Sequence, residues 1–138
     1  MTQEEKQLLF KDLCTRLPYG VRVKELESIK ELEFYLTSIY HDIVQVETMT
    51  GGKMACSIEA IKPYLRPMSS MTEEEKEEFE SVLGHYDENN NPYEDFNFGD
   101  DIDWLNAHHF DYRGLIEKGL ALEAPEDMYG KKNDIMKK

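Results

Sequence analysis

Apolar residues recur every three to four positions near the start of the chain. Leu9, Leu13 and Leu17, with Phe10 and Cys14 beside them, form a stripe that Glu4, Glu5, Lys6, Lys11 and Asp12 mostly avoid. Thr2 followed three residues later by Glu5 fits a capping box, in which each side chain accepts the other's free backbone N–H. The pattern predicts a helix over 3–16 with one buried face. Pro18 cannot continue it, and Gly20 allows the chain to turn.

The period then changes from four to two. Residues 21–26 alternate apolar and charged positions, 32–40 are rich in aromatic and β-branched types, and 43–48 alternate again. Gly51-Gly52 marks a hairpin leading into a fourth strand over 53–57. Links this short exclude helical crossovers, so the four strands are antiparallel neighbours. After them SIEAIKPY reads as one short helical turn, and 64–66 as a fifth strand stopped by Pro67.

Four antiparallel strands, a 3₁₀ turn and a closing strand make the plan of a small Src-homology-3-like barrel, whose closure removes sheet edges. The competing arrangement is an open four-stranded meander with the N-terminal helix across one face. The expected fold is thus α+β: a helix (1–17), a five-stranded antiparallel barrel (18–68), an acidic helical extension (69–125) and a flexible tail (126–138).

Thr72 with Glu75 forms a second capping box, opening a helix to about residue 83. Phe79, Val82 and Leu83 are nearly its only apolar residues, so most of its surface is wet. Turn formers dominate 85–100, and Asp100, Asp101 and Asp103 sit where a following helix would favour negative charge. That helix carries Trp104, Leu105, His108 and His109. Leu115, Ile116, Leu120 and Leu122 continue the apolar pattern to Pro125. Phe79, Leu83, Trp104, Leu105 and Leu115 are the residues expected to dock the extension on the barrel.

Charge separates these parts. The chain has 138 residues and a formal net charge of −13, yet residues 72–103 alone hold 13 acidic side chains against one basic. The flanking stretches are nearly neutral. This balance disfavours direct nucleic-acid binding, which draws its affinity from Lys and Arg on phosphates. No apolar run approaches the roughly 20 residues of a membrane helix, and MTQEEKQLLF has no basic-then-apolar signal segment, so a cytoplasmic protein is expected. Cys14 and Cys56 lack CxxC spacing and read as reduced, packed thiols.

Three stretches, LPYGVRV, IEAIKPYLRPMSSMTEEEKEEF and DWLNAHHFDYRGLIEKGLALEAPEDMY, resemble a group of small uncharacterised proteins of gut anaerobic bacteria and their phages and mobile elements. The resemblance spans most of the chain and implies a genomic setting without a mechanism. Separately, SIEAIKPYLRP resembles the turn and last strand of Src-homology-3-like barrels. Those peptide-binding domains carry a groove Trp inside the barrel, whereas Trp104 lies outside it, which speaks against recognition of Pro-rich peptides.

Candidate chemistry is sparse. Asp87, Asn89, Asn91 and Asp95 copy the opening of a calcium loop, but Pro92 and Phe98 replace its turn Gly and bidentate Glu. On a helix His108 and His109 point apart; Asp101, Leu105 and His109 share one row, and Trp104, His108 and Tyr112 another. Neither row supplies a full metal set. No GxSxG, HExxH or phosphate-cradling loop occurs. No cofactor or metal is therefore expected.

What is left is contact with a protein partner. Tyr19, Tyr35, Tyr40 and Tyr64 border the expected barrel and suit a binding groove, although barrel core is an equal place for Tyr35. Glu73, Glu74 and Glu77, with Tyr86, Tyr93 and Trp104, form an acidic and aromatic surface suited to a basic partner. The expected function is a non-catalytic protein-interaction module. The alternatives are an acidic DNA mimic that inhibits a DNA-binding enzyme, and a metal-dependent enzyme using His108 or His109.

Overall fold

The computed structural model describes residues 1–27, 33–48, 50–83 and 98–129; of Ser81 to Leu83 and residues 98–101 the backbone alone is described. Helix α1 (Gln3–Arg16) opens with the capping box as expected: Thr2 Oγ1 accepts from the Glu5 N–H at 3.0 Å and Glu5 Oε1 from the Thr2 N–H at 3.0 Å. A 3₁₀ turn over Leu17–Tyr19 ends at Gly20, whose φ of 67° a side chain would strain.

Strands β1 (Arg22–Glu25), β2 (Phe34–Tyr40), β3 (Ile43–Thr48) and β4 (Lys53–Ser57) follow, and β5 (Ile61–Leu65) comes after a 3₁₀ turn at Ile58–Ala60. The sheet order is β4-β3-β2-β1-β5-β6, with β6 (Leu122–Glu123) on the outer side of β5. All pairings are antiparallel except β5 with β6, which is parallel. The expected five-stranded antiparallel barrel is thus corrected to a six-stranded, mixed sheet that does not close.

The reason lies in connection length. A strand returning after more than fifty residues is free to enter in either direction, whereas hairpin-linked strands must be antiparallel. Residues 122–123 use that freedom and extend the sheet past β5. The fifth strand also begins earlier than expected, at Ile61, because the 3₁₀ turn spans only three residues.

One apolar cluster joins the layers. Leu9 and Leu13 of α1 meet Val21, Val23, Phe34, Leu36, Val44 and Val46 of the sheet, and Ile58, Ile61 and Leu65 complete it. The alternation along β1 and β5 buries every second residue, and Val23, Ile61 and Leu65 among these enter the cluster. In β2 a bulge between Leu36 and Ser38 shifts the register, and Thr37 Oγ1 donates to the Gln45 carbonyl at 3.1 Å.

Helix α2 (Glu73–Leu83) starts with the second capping box: Glu75 N–H donates to Thr72 Oγ1 and Thr72 N–H to Glu75 Oε1. Helix α3 (Phe98–Ala107) begins before the aspartates and stops before both histidines. Its last turn is a Schellman motif: Phe110 N–H donates to the Leu105 carbonyl and His109 N–H to that of Asn106, with His109 left-handed at φ 65°. The expected helical row through Asp101, Leu105 and His109 is therefore broken at its end.

The apolar stretch after Asp111 is turns, with Gly114 and Gly119 at positive φ. Asp111 holds it by accepting from the Leu115 and Ile116 N–H groups at 2.8 and 2.9 Å. Leu115, Leu120 and Ala121 enter the main core, and Leu105 is buried too. Helix α4 (Glu126–Tyr129) ends the described chain, inside the segment expected to be tail. No helix among the described residues is long and apolar enough to cross a membrane.

Candidate functional site

Two charged arrangements stand out, and they differ in burial. The first is inside. Asp12, read from the sequence as a solvent-facing residue, is fully buried beside Arg16, also fully buried. Arg16 Nε donates to Asp12 Oδ2 at 2.7 Å and its Nη2 to the Phe110 carbonyl at 2.6 Å. Arg113 Nε reaches Asp12 Oδ1 at 3.0 Å from the other end of the chain. Tyr112 links this group to buried Asn106 by a 2.9 Å hydrogen bond from its hydroxyl. The network welds α1 to the segment after α3, leaving Arg16 Nη1 as a donor without a partner among the described residues.

The second arrangement is a concave cavity of about 760 Å³ between β5, α2, β6 and α4. Its walls bring together residues distant in sequence. Glu74, Glu75 and Glu78 come from α2, Glu123 from β6, Glu126 and Tyr129 from α4, Arg66 from the end of β5, and His108 from the turn after α3. Pro67, Ser70 and Pro125 are among the uncharged parts of the lining. Five carboxylates thus face one guanidinium.

That guanidinium is already engaged. Arg66 Nη1 and Nη2 donate to Glu75 Oε2 and Oε1 at 2.9 and 2.7 Å, a forked pair, while the guanidinium lies 4.2 Å over the Phe110 ring. Burial pushes the Glu75 carboxyl up, but the Arg66 hydrogen bond, the Thr72 backbone hydrogen bond and the Arg66 charge outweigh it and hold it below the usual carboxylate range. Glu74, Glu78, Glu123 and Glu126 have no ion-pair partner among the described residues.

Aromatic packing fixes the walls. Trp104 stacks on His108 at 4.0 Å, on Phe79 at 5.0 Å and on Phe110 at 5.8 Å, which anchors α2 against α3. The His108 Nδ1 is 2.9 Å from the Trp104 carbonyl. On the other wall the Tyr129 hydroxyl accepts from the Arg22 N–H at 2.7 Å and donates to the Tyr64 carbonyl at 3.0 Å. Burial holds this hydroxyl well above the usual phenol range. The His109 ring stacks on Tyr129 at 3.7 Å.

Among the described residues no three His, Cys, Asp or Glu side chains could hold one metal ion. His108 and His109 engage different aromatic partners, and His109 has left the helix, so the pair does not converge. The carboxylates are instead distributed around the cavity.

The residues singled out from the sequence fall in different places. Glu74 lines the cavity and Trp104 braces its wall, while Glu73 and Glu77 are exposed on α2 outside the lining. Tyr64 sits at its back through the bond to Tyr129. Tyr19 is exposed at the 3₁₀ turn, and Tyr40, 73% exposed at the β2–β3 hairpin, packs edge-on to His41. Tyr35 is half-buried with its hydroxyl 3.4 Å from Glu47. Tyr86, Tyr93 and the calcium-like positions 87–95 lie outside the described residues. Cys14 is exposed on α1, correcting its expected packing, while Cys56 packs against the core.

Arg66, Glu78, Glu123, Glu126 and Tyr129 went unnoticed in the sequence. Glu123 and Glu126 flank Pro125, a weak signal, and the stop-and-cap pattern Pro125-Glu126-Asp127 before Tyr129 was the available clue to α4. Comparison with protein-family models, with curated proteins and with solved structures finds no match to the chain.

Proposed function

We propose that this protein is a protein-interaction module whose acidic cavity receives a basic segment of its partner. The observation that carries the reading is the lining itself: five glutamates around one arginine that Glu75 already neutralises. A lysine or arginine chain entering there meets Glu74 and Glu78 on one side and Glu123 and Glu126 on the other. Tyr129 and His108 offer ring faces for the aliphatic stems. Because the cavity is open and wet, the attraction supplies steering and register more than raw affinity.

An acidic DNA mimic is the second reading. It draws on the outer face of α2, where Glu73, Glu77 and Glu80 stand exposed on a regular helix, an ordered array such imitation requires. A metal-dependent reaction at His108 or His109 has no comparable support among the described residues.

Two matched variants separate the readings. Glu74→Gln with Glu78→Gln removes two charges from the cavity, and Glu73→Gln with Glu77→Gln removes two from the outer face. Binding of a fluorescent lysine-rich peptide is followed by anisotropy at low and high salt. The cavity reading predicts that the first pair weakens binding about tenfold and the second about twofold. The reverse order would favour the mimic, and equal effects would reduce the interaction to bulk charge.

A further inference from the structure

The described chain ends on the cavity wall. Tyr129, the last residue of α4, lines the cavity and is pinned there by its bonds to the Arg22 N–H and the Tyr64 carbonyl. Beyond it the sequence reads GKKNDIMKK, with four lysines against one aspartate in nine residues. The chain's acidity is concentrated in residues 72–103, which supply one wall of the cavity, and its formal net charge of −13 already includes these lysines. The most basic short segment of the protein is therefore tethered at the rim of its acidic cavity.

From these observations we infer that the lysines of residues 130–138 compete with the partner's basic segment for the cavity, so that the chain carries its own competitor. The inference rests on the reading given above and adds regulation to it. Charge complementarity supports it, since Glu74, Glu78, Glu123 and Glu126 have no cationic partner among the described residues. Geometry supports it too. Lys131 follows Tyr129 by two residues, about 7 Å of extended chain, and the whole segment reaches about 30 Å. A tether this short raises the local concentration of the lysines to about 1 mM, so even millimolar intrinsic affinity holds back an external ligand.

A partner with more positive charges, or with better placed ones, displaces this competitor. A weak or generic basic chain does not. Self-competition of this kind sharpens selectivity without a conformational change in the cavity walls.

The unaltered 138-residue chain is compared with two variants of equal charge. One carries Lys131→Gln, Lys132→Gln, Lys137→Gln and Lys138→Gln. The other carries Lys11→Gln, Lys24→Gln, Lys53→Gln and Lys118→Gln, at positions that do not line the cavity. Each is titrated with labelled decalysine at about 0.1 M and about 1 M salt. The inference predicts that the tail variant binds about twofold or more tightly than the control variant at low salt, with the difference gone at high salt. Equal affinities of the two variants, with the parent still binding and Glu74→Gln/Glu78→Gln still weakened, would overturn the competition and leave the cavity reading standing. No binding of decalysine by any chain would overturn both.

Discussion

The two charged regions obey opposite rules. In the interior one carboxylate, Asp12, meets two guanidiniums, Arg16 and Arg113, at 2.7 and 3.0 Å. In the cavity five carboxylates share one guanidinium. A buried charge without compensation would cost several kcal/mol, so the dry site has to be balanced for the chain to fold. In the open cavity solvent can screen the imbalance, so the surplus negative charge does not have to be balanced within the fold, and on the proposed reading it serves a partner. The same residue types thus stand under opposite constraints, and burial decides which applies.

The largest effect is expected where the interior balance is broken. Arg16→Met should lower stability by about 3–5 kcal/mol, read from urea denaturation, because Asp12 keeps a single partner in a dry site. Asp12→Leu combined with Arg16→Met should recover part of that loss; a double variant worse than the single one would refute the charge explanation. Next comes the anchor of the cavity wall. Tyr129→Phe takes away the hydroxyl that joins β1 to β5 and should cost about 1–2 kcal/mol by the same measurement.

Glu75 sharpens the contrast through pH, since it is the one cavity carboxylate that folding uses. Its folded-state carboxyl sits below the ordinary value, so its stabilisation is fully present above about pH 4.3, where the unfolded group is ionised. It is lost as pH falls through the lower folded value. Glu75→Gln should therefore flatten the acid limb of the stability profile below about pH 4.5, and cost about 1 kcal/mol at pH 7. An unchanged acid limb would show that Arg66 does not hold this carboxylate. The smallest effect belongs to surplus charge: Glu74→Gln with Glu78→Gln relieves a like-charge pair one helical turn apart and should raise stability by about 0.3 kcal/mol.

Local signals were legible where chemistry is local. Both capping boxes, the four hairpin-linked strands and the N-terminal helix follow from spacing, because three- and four-residue contacts are written in the sequence order. The sixth strand was not legible: Leu122 and Glu123 are too short a run to announce pairing with Tyr64 and Leu65, and only the returning chain brings them there. Burial of Asp12 was hidden for a related reason. Its second partner, Arg113, is a hundred residues away, and a lone Asp on a helix reads as wet. His109 shows a third kind of failure, since a left-handed helix end is expected at Gly and here a ring stacked on Tyr129 occupies it.

The cavity was half legible. The glutamate run named one wall, Glu74 among it, but residues after Pro125 read as tail, and so the opposite wall with Glu123, Glu126 and Tyr129 went unseen. Charge counting located the surplus without locating the concavity.

A two-dimensional amide NMR titration with decalysine tests the central claim most directly. The account predicts that shifts concentrate at Ser70, Glu74, Glu78, Ala124 and Tyr129, while Tyr40, Ile43 and Met54 across the sheet stay still. Shifts spread evenly over the acidic surface, or centred on Tyr40 and the β2–β3 hairpin, would contradict it.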